Sequence, residues 1–279
     1  MYDLARSDPA GAALLARLAP GLPDLGAPGS MFSNRTAQPA IVAAGLAMWE
    51  ALRRDCPPPA LVAGYSVGEL TAYGVAGAFG AERTVALAAQ RAALMDACVE
   101  PGNPHAMLAI SGRRLASLRQ QLLAHGFHIA IETGEDSCIA GGPAAHAAAI
   151  ALPGARITTL PVAVASHTPY LQAAVAPFAA RLDEEPFGAL QAPVMGGIDA
   201  TPVRDRDGAI AHLARQLAET IAWKDCMDAC AEQGITAALE LGPGSALSRM
   251  LSARHPGIAC RSVADFRSLD GIRSWLQAI

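Results

Sequence analysis

Gly64-Tyr65-Ser66-Val67-Gly68-Glu69 stands between an apolar run, Ala60-Leu61-Val62-Ala63, and a helical pattern that opens with Leu70-Thr71-Ala72-Tyr73. A serine flanked by glycines where a strand turns into a helix is a nucleophile elbow. The turn is tight, and glycine tolerates both its backbone angles and the closeness of neighbouring chain. It lifts the serine hydroxyl into the open and aims the first N–H groups of the helix at developing negative charge. The alternative is a structural Gly-Ser-Gly turn without chemistry, so the elbow needs support from the rest of the chain.

Outward from the elbow, helices and short strands alternate. Residues 1–25 read as helix and residues 26–35 as a Gly/Pro/Ser/Asn loop. A helix starts at Ala37-Gln38-Pro39-Ala40, with proline in its first turn, and stops before Cys56-Pro57-Pro58-Pro59. Residues 81–98 form a further helix, with Val85, Ala88, Ala92 and Met95 along one face. Pro101-Gly102-Asn103-Pro104 then marks a boundary. Residues 106–160 read strand, helix, strand, strand, helix, strand, which is the ferredoxin-like order. The expected fold class is therefore α/β. It has a hydrolase-like core with a parallel sheet (residues 1–104 and 166–279) and an inserted ferredoxin-like domain (residues 105–165). Helices follow at 169–182, 209–217 and 223–233, and strands at 194–196 and 237–241.

Composition excludes several function classes. Of the basic residues only Lys224 is a lysine, the arginines are scattered and the net charge is −4, so no basic stripe suits nucleic acid. No apolar run reaches the length of a membrane span, and the first residues lack a basic-then-apolar leader pattern. Cys56, Cys98, Cys138, Cys226, Cys230 and Cys260 lie far apart or at helical spacing, without His/Cys partners. They read as free or buried thiols of a cytoplasmic protein, and no metal site is expected.

A serine hydroxyl needs a base. His105, His125, His128 and His146 belong to the insert, His212 to a helix and His255 to a loop beside Pro256. His167, in Val164-Ala165-Ser166-His167-Thr168-Pro169, sits where the chain leaves the insert, a natural cleft. A surface histidine at a loop end is the plain alternative.

Taken in order, these segments resemble the malonyl-CoA:acyl carrier protein transacylase family. The family's elbow reads Gly-His-Ser-Leu-Gly-Glu; Tyr65 and Val67 depart from it. Its Gln-Arg helix motif is matched by Gln90-Arg91, its Ser-His pair by Ser166-His167, its Gln-Pro-Ala helix start by Gln38-Pro39-Ala40, and its late Glu-Leu-Gly-Pro-Gly by residues 240–244. The resemblance implies Ser66 as nucleophile and His167 as base. It implies a backbone carbonyl at Gln216 to orient the histidine, the Val67 N–H as an oxyanion donor, and Arg91 with Gln38 in substrate binding. Arg91 would grip the free malonyl carboxylate, which an acetyl group lacks. The partners implied are malonyl-CoA and an acyl carrier protein with a phosphopantetheine-type arm. No bound cofactor, nucleic acid or membrane is implied.

Two departures carry expectations. The family's second oxyanion donor comes from an N-terminal Gly-Gln-Gly. This chain begins at Met1-Tyr2-Asp3, which resembles the part just after it, so a site short of one donor is expected, at about 100-fold in rate. Glu132-Thr133-Gly134-Glu135-Asp136, together with the Tyr65 elbow, is similar to the malonate decarboxylase epsilon subunit, whose acceptor is the decarboxylase's own carrier subunit. The competing readings are a fatty-acid-synthesis malonyltransferase, a serine hydrolase or thioesterase, a non-catalytic carrier-docking subunit, and a polyketide-type acyltransferase taking a bulkier acyl group.

Overall fold

The computed structural model describes residues 2–23 and 33–279. Of the helix expected over 1–25, residues 1, 24 and 25 lie outside the described residues, and the rest is broken into α1 (Asp3–Arg6) and α2 (Pro9–Leu18), the latter ending in a 3-10 turn at Ala19–Gly21. The break has a local cause: the Asp8 carboxylate accepts from the Ala10 and Gly11 N–H groups, and Pro9 occupies the first helical position. Most of the loop expected over 26–35 lies outside the described residues. Its end is already helical, because α3 runs Asn34–Leu52. Pro39 therefore lies inside α3 and not in its first turn. It is tolerated there because α3 is buried on most sides, so packing holds the helix despite the missing N–H.

Then come β1 (Val62–Ala63), α4 (Val67–Val75) and α5 (Ala81–Ala97). The insert follows as β2 (His105–Ser111), α6 (Leu115–Leu123), β3 (His128–Glu132), β4 (Ser137–Pro143), α7 (Ala144–Ala147) and β5 (Arg156–Leu160). Its four strands lie in the order β3-β4-β2-β5, every neighbouring pair antiparallel. This is the ferredoxin-like arrangement read from the sequence.

Strand alternation gives this sheet two working faces. Ala106, Leu108 and Ile110 point to the insert's own core, with Leu118, Leu122 and Phe127. Met107 points the other way, into a core shared with Ala130, Ile131, Met195 and Trp223. The edge of β3 is tied to the rest of the molecule: Glu132 N–H donates to Ile221 O, and Ile221 N–H to Ala130 O, both at 2.9 Å.

The chain returns through α8 (Gln172–Asp183), β6 (Val194–Met195), β7 (Pro202–Val203), α9 (Arg206–Arg215), α10 (Trp223–Glu232), β8 (Ala237–Glu240), α11 (Ala246–Arg254), β9 (Ala259–Ser262) and α12 (Leu269–Gln277). β1 pairs in parallel with β6, and β8 with β9. β7 adds an antiparallel edge to β6 and, like β9 and α12, has no counterpart in the sequence reading. Around these strands α3, α4, α5, α8 and α9 build the main apolar core, with Val42, Leu52, Leu70, Tyr73, Leu87, Phe178 and Leu213 at its centre. Among the described residues no helix is long and apolar enough to cross a membrane.

Candidate active site

The elbow lies at the end of β1. Ser66 has φ +54° and ψ −120°, a conformation that L-residues rarely hold, and α4 starts at the next residue. Gly64 is required here, since a Cβ at this position would run into the Gly68 backbone. Gly68 is different: a Cβ there meets nothing within 4 Å, so the expectation that both glycines are needed for clearance holds only for Gly64. Val67 opens α4, so its N–H has no carbonyl one turn earlier and stays available beside the serine.

His167 comes from the loop that leaves the insert, and its φ is also positive, +60°. Its ring is buried, with Nε2 at 2.7 Å from Ser66 Oγ. On its other side Nδ1 lies 2.6 Å from the Gln216 carbonyl oxygen, at the end of α9. A carbonyl only accepts, so Nδ1 carries the proton and Nε2 presents a lone pair to the serine O–H. Burial, and then the nearby Arg91 charge, press the imidazole down to about 3, so it is neutral at ordinary pH. Other histidines are engaged elsewhere: His105 accepts from Ala165 N–H, His212 faces Asp199 and His255 faces Asp228.

Arg91 projects from α5 and is 1% exposed. Its guanidinium donates to Gln38 Oε1 at 2.7 Å, to Gln216 Oε1 at 3.0 Å and towards Met95 Sδ at 3.2 Å. These acceptors are all neutral. Burial draws its pKa down to about 10, against the opposing pull of Glu69. It remains a cation at neutral pH, with no carboxylate paired directly to it among the described residues. Gln38 is held in turn by Asn34 Oδ1 and donates towards Met95 Sδ.

The structure thus brings Ser66, Val67, His167, Gln216, Arg91 and Gln38 into one cluster. It also adds a residue that the sequence reading quoted without a role. Glu69 is fully buried one turn along α4, and its Oε2 accepts from Gln216 Nε2 at 2.6 Å and Gly197 N–H at 3.1 Å. A Cβ on Gly197 would approach that oxygen to 2.8 Å, so glycine there allows the backbone to reach the carboxylate. The available signal was a carboxylate three residues after the serine, on a helix whose neighbouring positions are apolar. The Gln216 side chain was missed too; only its carbonyl was expected to matter, yet Nε2 also lies 3.2 Å from Ser66 O.

Tyr65, the departure at the elbow, packs edge-on against Trp223 with ring centroids 5.3 Å apart. A cleft of about 460 Å³ opens nearby, lined by Arg119, His128, Pro169 and Thr220 among others, but neither Ser66 nor His167 lines it. Among the described residues no group of His, Cys, Asp or Glu is placed to hold a metal ion.

The family model for the acyl transferase domain matches residues 22–264. A malonyl CoA-acyl carrier protein transacylase of Mycobacterium tuberculosis is 32% identical over 252 residues, covering 84% of this chain and 79% of that protein. The protein of the same name from Escherichia coli is 29% identical over 232 residues, covering 76% and 71%. The crystal structure of MCAT from Mycobacterium tuberculosis superposes with a TM-score of 0.88 at 28% identity, over 98% of this chain and 93% of that one. A type II polyketide acyl-carrier protein complex with its malonyl-transacylase superposes at 0.90 over 99% and 94%; at 24% identity it shows the shared fold.

Proposed function

Because the chain belongs to the malonyl-CoA:acyl carrier protein transacylase family of acyltransferases, we propose that its cluster moves a malonyl group from malonyl-CoA to the thiol of an acyl carrier protein through a malonyl-serine. Ser66 Oγ attacks the thioester carbonyl while His167 Nε2 takes its proton. The oxyanion forms beside the Val67 N–H, where the start of α4 favours negative charge. As the C–S bond breaks, the proton passes from His167 to the departing CoA thiolate. In the second half His167 deprotonates the carrier's phosphopantetheine-type thiol, the thiolate attacks the ester carbonyl, and as the C–O bond breaks the proton passes from His167 to Ser66 Oγ, which restores the free serine. The Gln216 carbonyl holds the ring in the required tautomer throughout. The route uses only side chains, backbone and the two thiols.

The observation that carries this reading is Arg91. A buried guanidinium held by amide oxygens and a thioether can take an anionic oxygen as a stronger partner. The malonyl carboxylate supplies one, and acetyl does not. Gln38 supports the guanidinium from α3. The reading also keeps residues 105–165 as an inserted domain, supported by the separate core of β2–β5, and a cytoplasmic location.

The direct test is intact-protein mass spectrometry after mixing with malonyl-CoA. An adduct on Ser66 that a carrier thiol removes is expected, and Ser66→Ala abolishes it. Malonyl-CoA hydrolysis without transfer would instead support a serine hydrolase, and no adduct a docking subunit. A finer reading, with the carrier subunit of malonate decarboxylase as acceptor, draws support from the Glu132–Asp136 turn and Tyr65. Competition between that subunit and a fatty-acid carrier protein for the loaded enzyme tests it.

A further inference from the structure

The proposed chemistry leaves one buried titratable group of the site without a task. Glu69 Oε2 accepts two hydrogen bonds, from Gln216 Nε2 and Gly197 N–H, while Oε1 has no partner among the described residues. A carboxylate accepts, whereas an amide has a donating and an accepting end. With its Nε2 fixed on Glu69, Gln216 must turn Oε1 the other way, where Arg91 Nη2 meets it at 3.0 Å. Reversing the amide would set N–H₂ against a guanidinium, two donors facing each other.

We propose that Glu69 is a positioning residue that fixes the sense of the Gln216 amide and, through it, the Arg91 guanidinium that selects acyl groups ending in a carboxylate. This inference rests on the carboxylate role of Arg91 given above. A purely structural Glu69, tying α4 to the Gly197 loop, would affect every acyl group alike.

The experiment measures kcat and KM with malonyl-CoA and acetyl-CoA. Glu69→Gln keeps the volume but lets Gln216 reverse, so the malonyl-to-acetyl ratio of kcat/KM falls about tenfold, through KM for malonyl-CoA. Glu69→Met, which neither donates nor accepts through oxygen, lowers the same ratio and serves if the first variant folds poorly. Gln216→Met removes the amide, keeps the backbone carbonyl on His167 and also lowers the ratio. The double variant Glu69→Gln with Gln216→Met falls no further than Gln216→Met alone, because Glu69 has lost its route to Arg91. An unchanged ratio in the Glu69 variants, or losses in the double variant that multiply, overturns the proposal. Arg91→Ala separates the two levels. If it leaves the ratio intact, the carboxylate role of Arg91 fails and this inference with it. If it lowers the ratio while the Glu69 variants do not, this inference alone fails.

Discussion

Two arginines of this protein meet carboxylates in opposite ways. Arg254, on α11 near the surface, holds Asp228 with two nitrogens, at 2.5 and 2.6 Å, and reaches Glu135 of the insert at 3.5 Å. Lys224 meets the same Glu135, and His255 the same Asp228. The charges cancel on contact, and the network links the turn between β3 and β4 to α10 and α11. Arg91 is buried, and the Gln216 amide stands between it and Glu69. Its charge is solvated by neutral groups and is not cancelled by direct pairing. A guanidinium already forked onto a carboxylate joins parts of a fold, whereas one held by amides keeps its strongest interaction open to a ligand.

The largest expected effect sets the baseline for this contrast. His167→Ala lowers transfer of malonyl and acetyl groups alike by about 10⁴-fold or more, read as kcat/KM, because neither arginine substitutes for the base. Next, Arg91→Ala lowers malonyl transfer by about 1000-fold and acetyl transfer far less. It also raises the pKa of His167, whose suppression is partly the work of the Arg91 charge, and the acid limb of the pH–rate profile moves up accordingly. Equal losses for both acyl groups would erase the distinction between the two arginines.

The third effect is on stability. Burial raises the Glu69 carboxyl from 4.5 to about 7. The folded protein therefore holds that proton more tightly than the unfolded chain. The contribution is full below about 4.5 and is lost as pH rises through 7. The loss is about 3 kcal/mol, an order-of-magnitude figure. His167 runs the other way: its folded pKa is depressed from 6.5, so its contribution is full above 6.5 and is lost as pH falls towards 3. The two slopes oppose one another between 4.5 and 6.5. Urea titrations from pH 4.5 to 8 should show Glu69→Gln gaining on the wild type as pH rises, and parallel curves would contradict the buried charge. The smallest effect belongs to the surface network. Arg254→Ala shifts stability by no more than about 1 kcal/mol, less at high salt, and leaves the malonyl-to-acetyl ratio alone. A selective loss of malonyl transfer there would collapse the comparison from the other side.

Much of the site is legible in the sequence. The elbow announces itself through Gly64 beside Ser66, and the insert through the strand-helix-strand-strand-helix-strand order of residues 106–160. Pro39 shows the limit of such reading. Proline is a sound marker of a first helical turn, but burial of α3 carries the helix past it. The break at Asp8-Pro9 was written locally and overlooked. Glu69 and the Gln216 side chain were not legible in the same sense, since their meaning lies in partners 147 positions apart.

The sequence alone determined what short-range sterics and periodicity control: a serine on a forced turn, helices with apolar faces, and a four-stranded insert. It also supplied the residue types of the cluster, and family motifs marked several of them. Tertiary structure alone decided how the cluster is wired. Buried donors and acceptors must find partners wherever the packed chain brings them, and no local pattern records that choice. Folding therefore set one glutamine between the buried Glu69 and the buried Arg91, with its carbonyl on the His167 imidazole.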